Sequence, residues 1–262
     1  MKFSIITVVK NDQENITKTI LSVLSQKYKS FEYIILDGYS NDNTFKIIKK
    51  FNKNKKLKIL RAKDKNLYDG INKALKKTKG KYIGLIHSGD FFSSNKVLSI
   101  IDRKIKNYDF LSSNLIFYRG KKLSRFWNYK KVNLDKYNFF KIAHPTSFIK
   151  RNILIRNKYN INYKISSDTD LLLRLQEKKI KYIHFNMVTY FMRSGGLSTS
   201  YFQLTNKVFE DIKIYFKNFG VWFLFFYLKK IIYKFFKLIF QKKNKHKNLE
   251  KEFNKILNKL EK

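Results

Sequence analysis

The apolar run Tyr82-Ile83-Gly84-Leu85-Ile86 ends in Ser88-Gly89-Asp90, and a carboxylate at the C-terminal edge of a strand sits where open α/β sheets bind ligands. A single carboxylate there suits Mg²⁺ or Mn²⁺, hard cations held largely by phosphate oxygens and water, so the turn reads as a metal-diphosphate site. Many strands end in a Gly-Asp turn for structural reasons alone, so the reading depends on its company. Asp37-Gly38-Tyr39-Ser40-Asn41-Asp42-Asn43-Thr44 follows the run Phe31 to Leu36 in the same way. Asp69 and Asn72, three apart at a helix start, can face one crevice, with N-terminal capping as their ordinary alternative. Asp64 is a weaker partner of that region, and Lys73 is placed either to reach a phosphate or to stay solvated. Asp168-Thr169-Asp170 puts two acids in the first turn of a short helix, where the macrodipole favours them. Arg193-Ser194-Gly195-Gly196-Leu197-Ser198 joins a permanently charged guanidinium to a glycine turn rich in backbone donors, a combination suited to clamping a diphosphate. A phosphate-binding loop of the Gly-x-x-x-x-Gly-Lys-Ser/Thr type is absent, which removes the simplest phosphoryl-transfer chemistry.

The elements that must position these residues follow from periodicity. Strand-like runs at Phe3 to Val9, Phe31 to Leu36, Leu57 to Arg61 and Tyr82 to His87 alternate with helical patterns at Glu14 to Leu24, Phe45 to Phe51 and Ile71 to Lys77. Such alternation predicts an α/β fold with a mostly parallel sheet flanked by helices. Further strands are expected at Phe110 to Phe117 and Tyr182 to Tyr190, and a helix through Val97, Ile100 and Ile101 with Ser94 as its cap. The aromatic, basic segment from Arg119 to Asn138 predicts a hairpin and loop beside the site.

The chain has 262 residues, 44% of them hydrophobic and 17% aromatic, enough to bury a full core. It has no cysteine, which excludes thiolate nucleophiles and Cys-ligated metals and suits a reducing cytosol. The N-terminal apolar run is interrupted by Lys10, Asn11 and Asp12, so no secretory signal is expected. A formal charge of +38 invites nucleic acid or an anionic membrane as partner. Much of it is also what lysine-rich, solvated faces provide. The segment from Ile212 to Leu249 lacks acids and crowds aromatics with lysines, setting an expected boundary between a catalytic domain at 1–205 and a C-terminal extension at 206–262. Val221 to Leu228 is too short to span a bilayer. Beyond it Lys230, Lys234, Lys237 and Gln241 recur at helical spacing opposite Ile231, Ile232, Phe235, Phe236, Leu238 and Ile239, which predicts an amphipathic helix lying in the headgroup plane. Packing of its aromatic face on protein is the alternative. The tail from Gln241 to Lys262 is expected to be a solvated, partly helical basic end.

From Lys2 to Ser198 the chain resembles the family 2 glycosyltransferases. The likeness rests on order: an N-terminal strand, the Asp37-Gly38-Tyr39-Ser40 loop, the Tyr68-Asp69-Gly70-Ile71-Asn72-Lys73 helix, the strand closing at Asp90, and the helix opened by Asp168. The resemblance implies a GT-A fold, a UDP-linked nucleotide-sugar donor and inversion at the anomeric carbon. It implies that Asp37 recognises the base and that Thr7 and Val9 line the nucleotide pocket. Asp90 then binds the metal, Ser88 a ribose hydroxyl or a water ligand, and Asp168 deprotonates the acceptor hydroxyl with Asp170 in reserve. His144, in His144-Pro145-Thr146-Ser147, resembles a family histidine near acceptor and phosphates, and is equally placed for a structural hydrogen bond. The family usually supplies two or more acids where this chain has Ser88-Gly89-Asp90, which puts strict metal dependence in doubt. The implied acceptor is a glycan on a polyprenyl carrier in surface polysaccharide synthesis, at the inner face of the cell membrane. A transferase acting in solution on a protein or small molecule is the runner-up. A nucleic-acid-binding role lacks any recognisable module signature.

Overall fold

A computed structural model of the chain describes residues 1–195, 201–239 and 247–261. Its first half runs β1 (Phe3–Val9), α1 (Ile16–Leu24), β2 (Phe31–Asp37), α2 (Thr44–Lys49), β3 (Leu57–Arg61), α3 (Leu67–Leu75) and β4 (Tyr82–Leu85). The strands lie in the order β3-β2-β1-β4, all parallel. β1 and β2 are buried along their whole length, which is why they read as continuous β-branched runs rather than alternating ones. Val9 pairs with Asp37 and Ile6 with Leu85, so the carboxyl ends of these strands reach one edge together, and their following loops form that edge.

The second half adds β5 (Phe91–Phe92), α4 (Val97–Ile105), β6 (Phe110–Arg119), β7 (Lys122–Trp127), β8 (Phe148–Lys150), α5 (Arg151–Arg156), α6 (Ser167–Gln176) and β9 (Tyr182–Arg193). Here the sheet is mixed. β8 joins β4 to β6 through antiparallel pairs, β9 runs parallel to β6, and β5 closes the far edge antiparallel to β9. β7 hairpins onto β6, as the segment after Arg119 predicts. Pairs of two or three residues such as β5 and β8 are too short to leave a periodic signal. β9 runs three residues beyond the expected Tyr190 and so carries Arg193 to the site. α3 begins at Leu67 rather than Ile71, because Asn66 caps it by accepting the Asp69 N–H at 3.0 Å. α4 is capped at Lys96, and Ser94 instead accepts the Lys96 N–H at 3.3 Å.

Three helices end the chain: α7 (Tyr201–Phe219), α8 (Phe223–Ile239) and α9 (Lys247–Glu261). α7 runs across position 205 and sends Ile214 and Tyr215 into the main core. Two expectations for this region are corrected. The stripe of Lys230, Lys234 and Lys237 does not face outward: these lysines line an internal cavity, with Lys230 buried against Asp211, while Ile231, Ile232, Phe235 and Phe236 are exposed. The polar stripe packs inward because it finds a carboxylate and aromatic ring faces there. α9 is helical with a solvated face that includes Lys251, Lys255 and Lys259, but its other face is docked rather than free. Phe253 packs on Phe91 and Phe191 with ring centroids 5.9 and 5.1 Å apart, beside buried Leu257, and Glu261 pairs with Lys18 at 3.0 Å. Apolar residues at helical spacing in α9 therefore bind the sheet's edge. Gly196, Leu197, Ser198, Phe240 and Gln241 lie outside the described residues, and the side chains of Leu238 and Ile239 are likewise not described. Among the described residues no helix is long and apolar enough to cross a membrane.

Candidate active site

A cleft of about 630 Å³ opens at the carboxyl edge of β1 and β4. The loop after β1 supplies Lys10, Asn11 and Asp12, the entry to α3 supplies Asp64 through Tyr68, and the loop after β4 supplies His87, Ser88 and Asp90. Arg193 and Asp168 reach it from the second half of the chain. A second cavity of about 280 Å³ lies beyond, walled by the β6–β7 hairpin, α8 and the His144 turn. The two share His144, Pro145, Ile165, Asp168 and Met192, so Asp168 stands where they meet.

The Asp90 turn is held from several sides. The Thr19 hydroxyl donates to the Asp90 carbonyl at 2.9 Å and accepts the Gly89 N–H at 2.9 Å, and the Tyr118 hydroxyl donates to the Gly89 carbonyl. Gly89 has φ +90°, and a Cβ there would fall 2.6 Å from Arg193 Nε, so only glycine lets the guanidinium lie over the turn. Asp90 Oδ1 accepts the Arg193 N–H at 2.8 Å, while Oδ2 is buried with no hydrogen-bond partner among the described residues, as is Ser88 Oγ. Burial pushes the Asp90 carboxyl up to about 8, against the pull of Arg193. A buried carboxyl with one oxygen unanswered fits a divalent cation, which would supply the missing charge. No group of three or more acidic, histidine or cysteine side chains gathers among the described residues. A cation would thus be held by Asp90 with phosphate and water making up the remaining ligands. Arg193 Nη2 also reaches Asp12 Oδ2 at 3.4 Å.

Asp168 occupies the first turn of α6, its Oδ1 accepting the Thr169 N–H at 2.8 Å, and no lysine or arginine among the described residues pairs with it. The loop before it is fastened by a residue that sequence reading passes over. Glu210 of α7 accepts the N–H groups of Lys164, Ile165 and Ser166 at 2.7 to 2.9 Å, and the Tyr68 hydroxyl donates to the Ile165 carbonyl at 2.6 Å. Glu210 and Asp211 are the last acids before the acid-free stretch, the one signal that pointed to them. Beside Asp168, His144 Nε2 lies 2.9 Å from the Tyr159 hydroxyl, and burial holds its imidazole below its usual range. His87, a further residue the sequence gives no reason to choose, is pushed down to about 4 by burial, with His144 adding to the shift. Both rings are therefore neutral near pH 7.

The structure separates the remaining candidates. Val9 lines the cleft. Thr7 does not: its hydroxyl donates to the Ile86 carbonyl at 2.7 Å and contacts the Tyr33 hydroxyl at 2.8 Å, tying β1 to the chain beyond β4. Asp37 is fully buried off the cleft wall, accepting from the Ser40 N–H and Arg61 Nε, each at 3.1 Å. Asp64 takes the open position instead, packed so closely on Gly38 that a Cβ there would fall 2.7 Å from Oδ2. Burial raises its carboxyl above the usual range. Asp69 and Asn72 do not share the crevice. Asp69 accepts from Lys73 Nζ at 2.7 Å and the Lys65 N–H at 2.9 Å, and Asn72 clamps the backbone of Tyr159 through both amide atoms. Asp170 is buried and bonded to Arg174 Nε at 2.8 Å, and lines neither cavity.

A family model described as glycosyl transferase family 2 matches residues 4–174. The poly(ribitol-phosphate) β-N-acetylglucosaminyltransferase TarP of Staphylococcus aureus is 27% identical over 237 residues, covering 80% of this chain and 72% of that protein. The UDP-Glc:α-D-GlcNAc-diphosphoundecaprenol β-1,3-glucosyltransferase WfaP of Escherichia coli is 37% identical over 94 residues, covering 36% of this chain and 38% of that protein. Among solved structures, residues 1–349 of S. aureus TarS in complex with UDP-GlcNAc superpose with a TM-score of 0.71 at 19% identity, covering 82% of this chain and 66% of that one. The mannosyltransferase PcManGT of Pyrobaculum calidifontis in complex with GDP-Man and Mn²⁺ gives a TM-score of 0.64 at 12% identity, covering 82% and 63%. This chain thus spans less than two thirds of the length of these structural neighbours. At such identities they establish a shared fold.

Proposed function

The chain belongs to glycosyl transferase family 2, and on that premise we propose that it moves a sugar from a UDP-linked donor to a glycan hydroxyl on a lipid carrier, with inversion at the anomeric carbon. The observation that carries this reading is the position of Asp168 at the junction of the two cavities. The cleft takes the donor, with the nucleotide against Val9, Lys10 and Asp64 and the diphosphate toward Asp90 and Arg193. The second cavity takes the acceptor. Asp168 accepts the hydroxyl proton as the acceptor oxygen bonds to the anomeric carbon, and the bond from that carbon to the diphosphate breaks on the opposite face. Arg193 stabilises the charge that develops on the departing UDP. Asp90 would hold a Mg²⁺ or Mn²⁺ ion, which supplies further charge compensation when bound.

Residues 1–205 are assigned to the transferase domain, and 206–262 to an extension that walls the second cavity and seats the enzyme on the cytoplasmic face of the membrane. Support for the second assignment comes from the outer face of α7 and α8. Trp222, Phe225, Ile232 and Phe235 are exposed there, and Lys213, Lys217 and Lys229 are exposed on the same helices, the composition of an interfacial helix. The apolar face, not the inward lysines, is the membrane-contacting one. The test of the donor assignment is a panel of nucleotide sugars, with released UDP or GDP measured in the presence and absence of Mn²⁺. Release from a UDP-sugar is expected, since donor hydrolysis needs no acceptor. Release confined to GDP-sugars would overturn the UDP assignment.

A further inference from the structure

The second cavity carries more positive charge than a neutral sugar hydroxyl requires. Lys207, Lys230, Lys234, Lys237 and Arg125 line it, against Asp168 as the one lining carboxylate among the described residues. Asp211, behind the wall, answers two of them, lying 2.8 Å from Lys230 Nζ and 3.9 Å from Lys207 Nζ. The others find little. Lys234 Nζ lies 5.5 Å from the centre of the Trp127 ring. Lys237 Nζ lies 3.4 Å from the centre of the Tyr129 ring, with the Asn128 carbonyl at 3.3 Å. Arg125 stacks on Phe117 at 3.8 Å, and its Nε is buried with no acceptor among the described residues. These groups converge from β7, α7 and α8. Burial, reinforced by neighbouring cations, pushes Lys234 and Lys237 each down to about 7. A solvated lysine face shows neither this convergence nor this desolvation.

We propose that the cavity is an anion subsite for a phosphate group of the acceptor, with Lys234, Lys237 and Arg125 as its direct ligands. Lys230 and Lys207, anchored by Asp211, frame it. The inference rests on the donor reading of the adjoining cleft, because it places the acceptor phosphate across Asp168 from the donor diphosphate. Charge-assisted contacts of this kind orient a ligand as well as hold it, so the subsite fixes which hydroxyl meets the carboxylate. A glycosyl diphosphate on a carrier lipid and a phosphodiester in a polyol-phosphate chain share this chemistry.

Trp127, beside Lys234 and Lys237, offers a direct readout. In full-length protein carrying Trp222→Phe, inorganic pyrophosphate titrated at saturating UDP should change Trp127 emission. Lys234→Gln with Lys237→Gln should weaken that binding by roughly tenfold or more, and Lys234→Arg with Lys237→Arg should restore it. UDP affinity, measured by calorimetry in the same proteins, should not move. Competition by N-acetylglucosaminyl diphosphate and by a glycerol-phosphate oligomer then shows which phosphate source the cavity prefers. Equal pyrophosphate affinity in the Gln and unsubstituted proteins, with the fold verified by thermal melting, would overturn the subsite. Pyrophosphate binding that needs the lysines in a protein that fails to bind UDP would leave the subsite standing and defeat the donor reading.

Discussion

At the residue scale, Asp168 and Asp170 share a helical turn and have opposite surroundings. Asp168 faces both cavities, whereas Asp170 is locked to Arg174. Asp168→Asn should lower turnover by roughly 10²- to 10⁴-fold with UDP affinity nearly intact, the signature of a lost general base. Asp170→Asn should instead lower stability by about 1–3 kcal/mol through its lost partner, read by denaturant melts, with turnover near that of the parent. The reverse pattern would exchange their roles. Asp90→Asn should abolish the gain in UDP affinity that Mn²⁺ provides, and calorimetry showing equal enhancement would remove Asp90 from the site. Residue type and loop position singled out Asp90, Ser88, Asp168 and Arg193, which the fold brings to one cleft. They did not reveal that Asp37, Asp69 and Asn72 are already satisfied, because their partners are set by the fold. Asn72 meets Tyr159 across 87 residues, and Asp37 meets Arg61 across 24.

At the scale of elements, the acid-bearing turn depends on α7, since Glu210 answers three N–H groups of the loop that precedes α6. Glu210→Ala should leave those donors unpaired and lower kcat while UDP affinity holds, and Glu210→Gln, which keeps an acceptor oxygen, should recover part of the rate. Equal rates in all three proteins would show that the loop holds itself. The inward turn of α8 has a pH signature. Burial holds Lys234 at about 7 in the fold against 10.5 as a free side chain, with Lys230 and Lys207 lowering it further and Asp211 and Asp168 opposing. The native state therefore binds fewer protons than the unfolded state between those values, and this lysine's penalty is full below about pH 7 and fades toward pH 10.5. Lys234→Met should raise the melting temperature at pH 6 and lose that advantage as pH rises toward 10; a gain independent of pH would contradict the buried charge. β1 and β3 were legible to the residue because both their flanks change composition. The orientation of α8 was not, since an amphipathic pattern distinguishes two faces without saying which one the core receives.

For the whole molecule, the charge of +38 divides between a solvated surface and a lined cavity, a division that composition cannot show. Attachment to a bilayer should follow the exposed rings. Replacing Trp222, Phe225 and Phe235 together by Ser should abolish sedimentation with anionic vesicles, because the buried apolar area is lost. Lys234→Gln with Lys237→Gln should still sediment; the opposite pairing of results would return the lysines to the headgroups. The proposed transfer is one displacement at Asp168, between a donor in the cleft and an attacking oxygen from the second cavity. Proton NMR of the first sugar product released from a UDP-α-sugar, followed before the anomers equilibrate, tests that arrangement most directly. The expected product is the β-anomer, with a large H1–H2 coupling, formed much more slowly by Asp168→Asn. An α-anomer as first product, or an unchanged rate in the variant, would contradict the single inverting displacement.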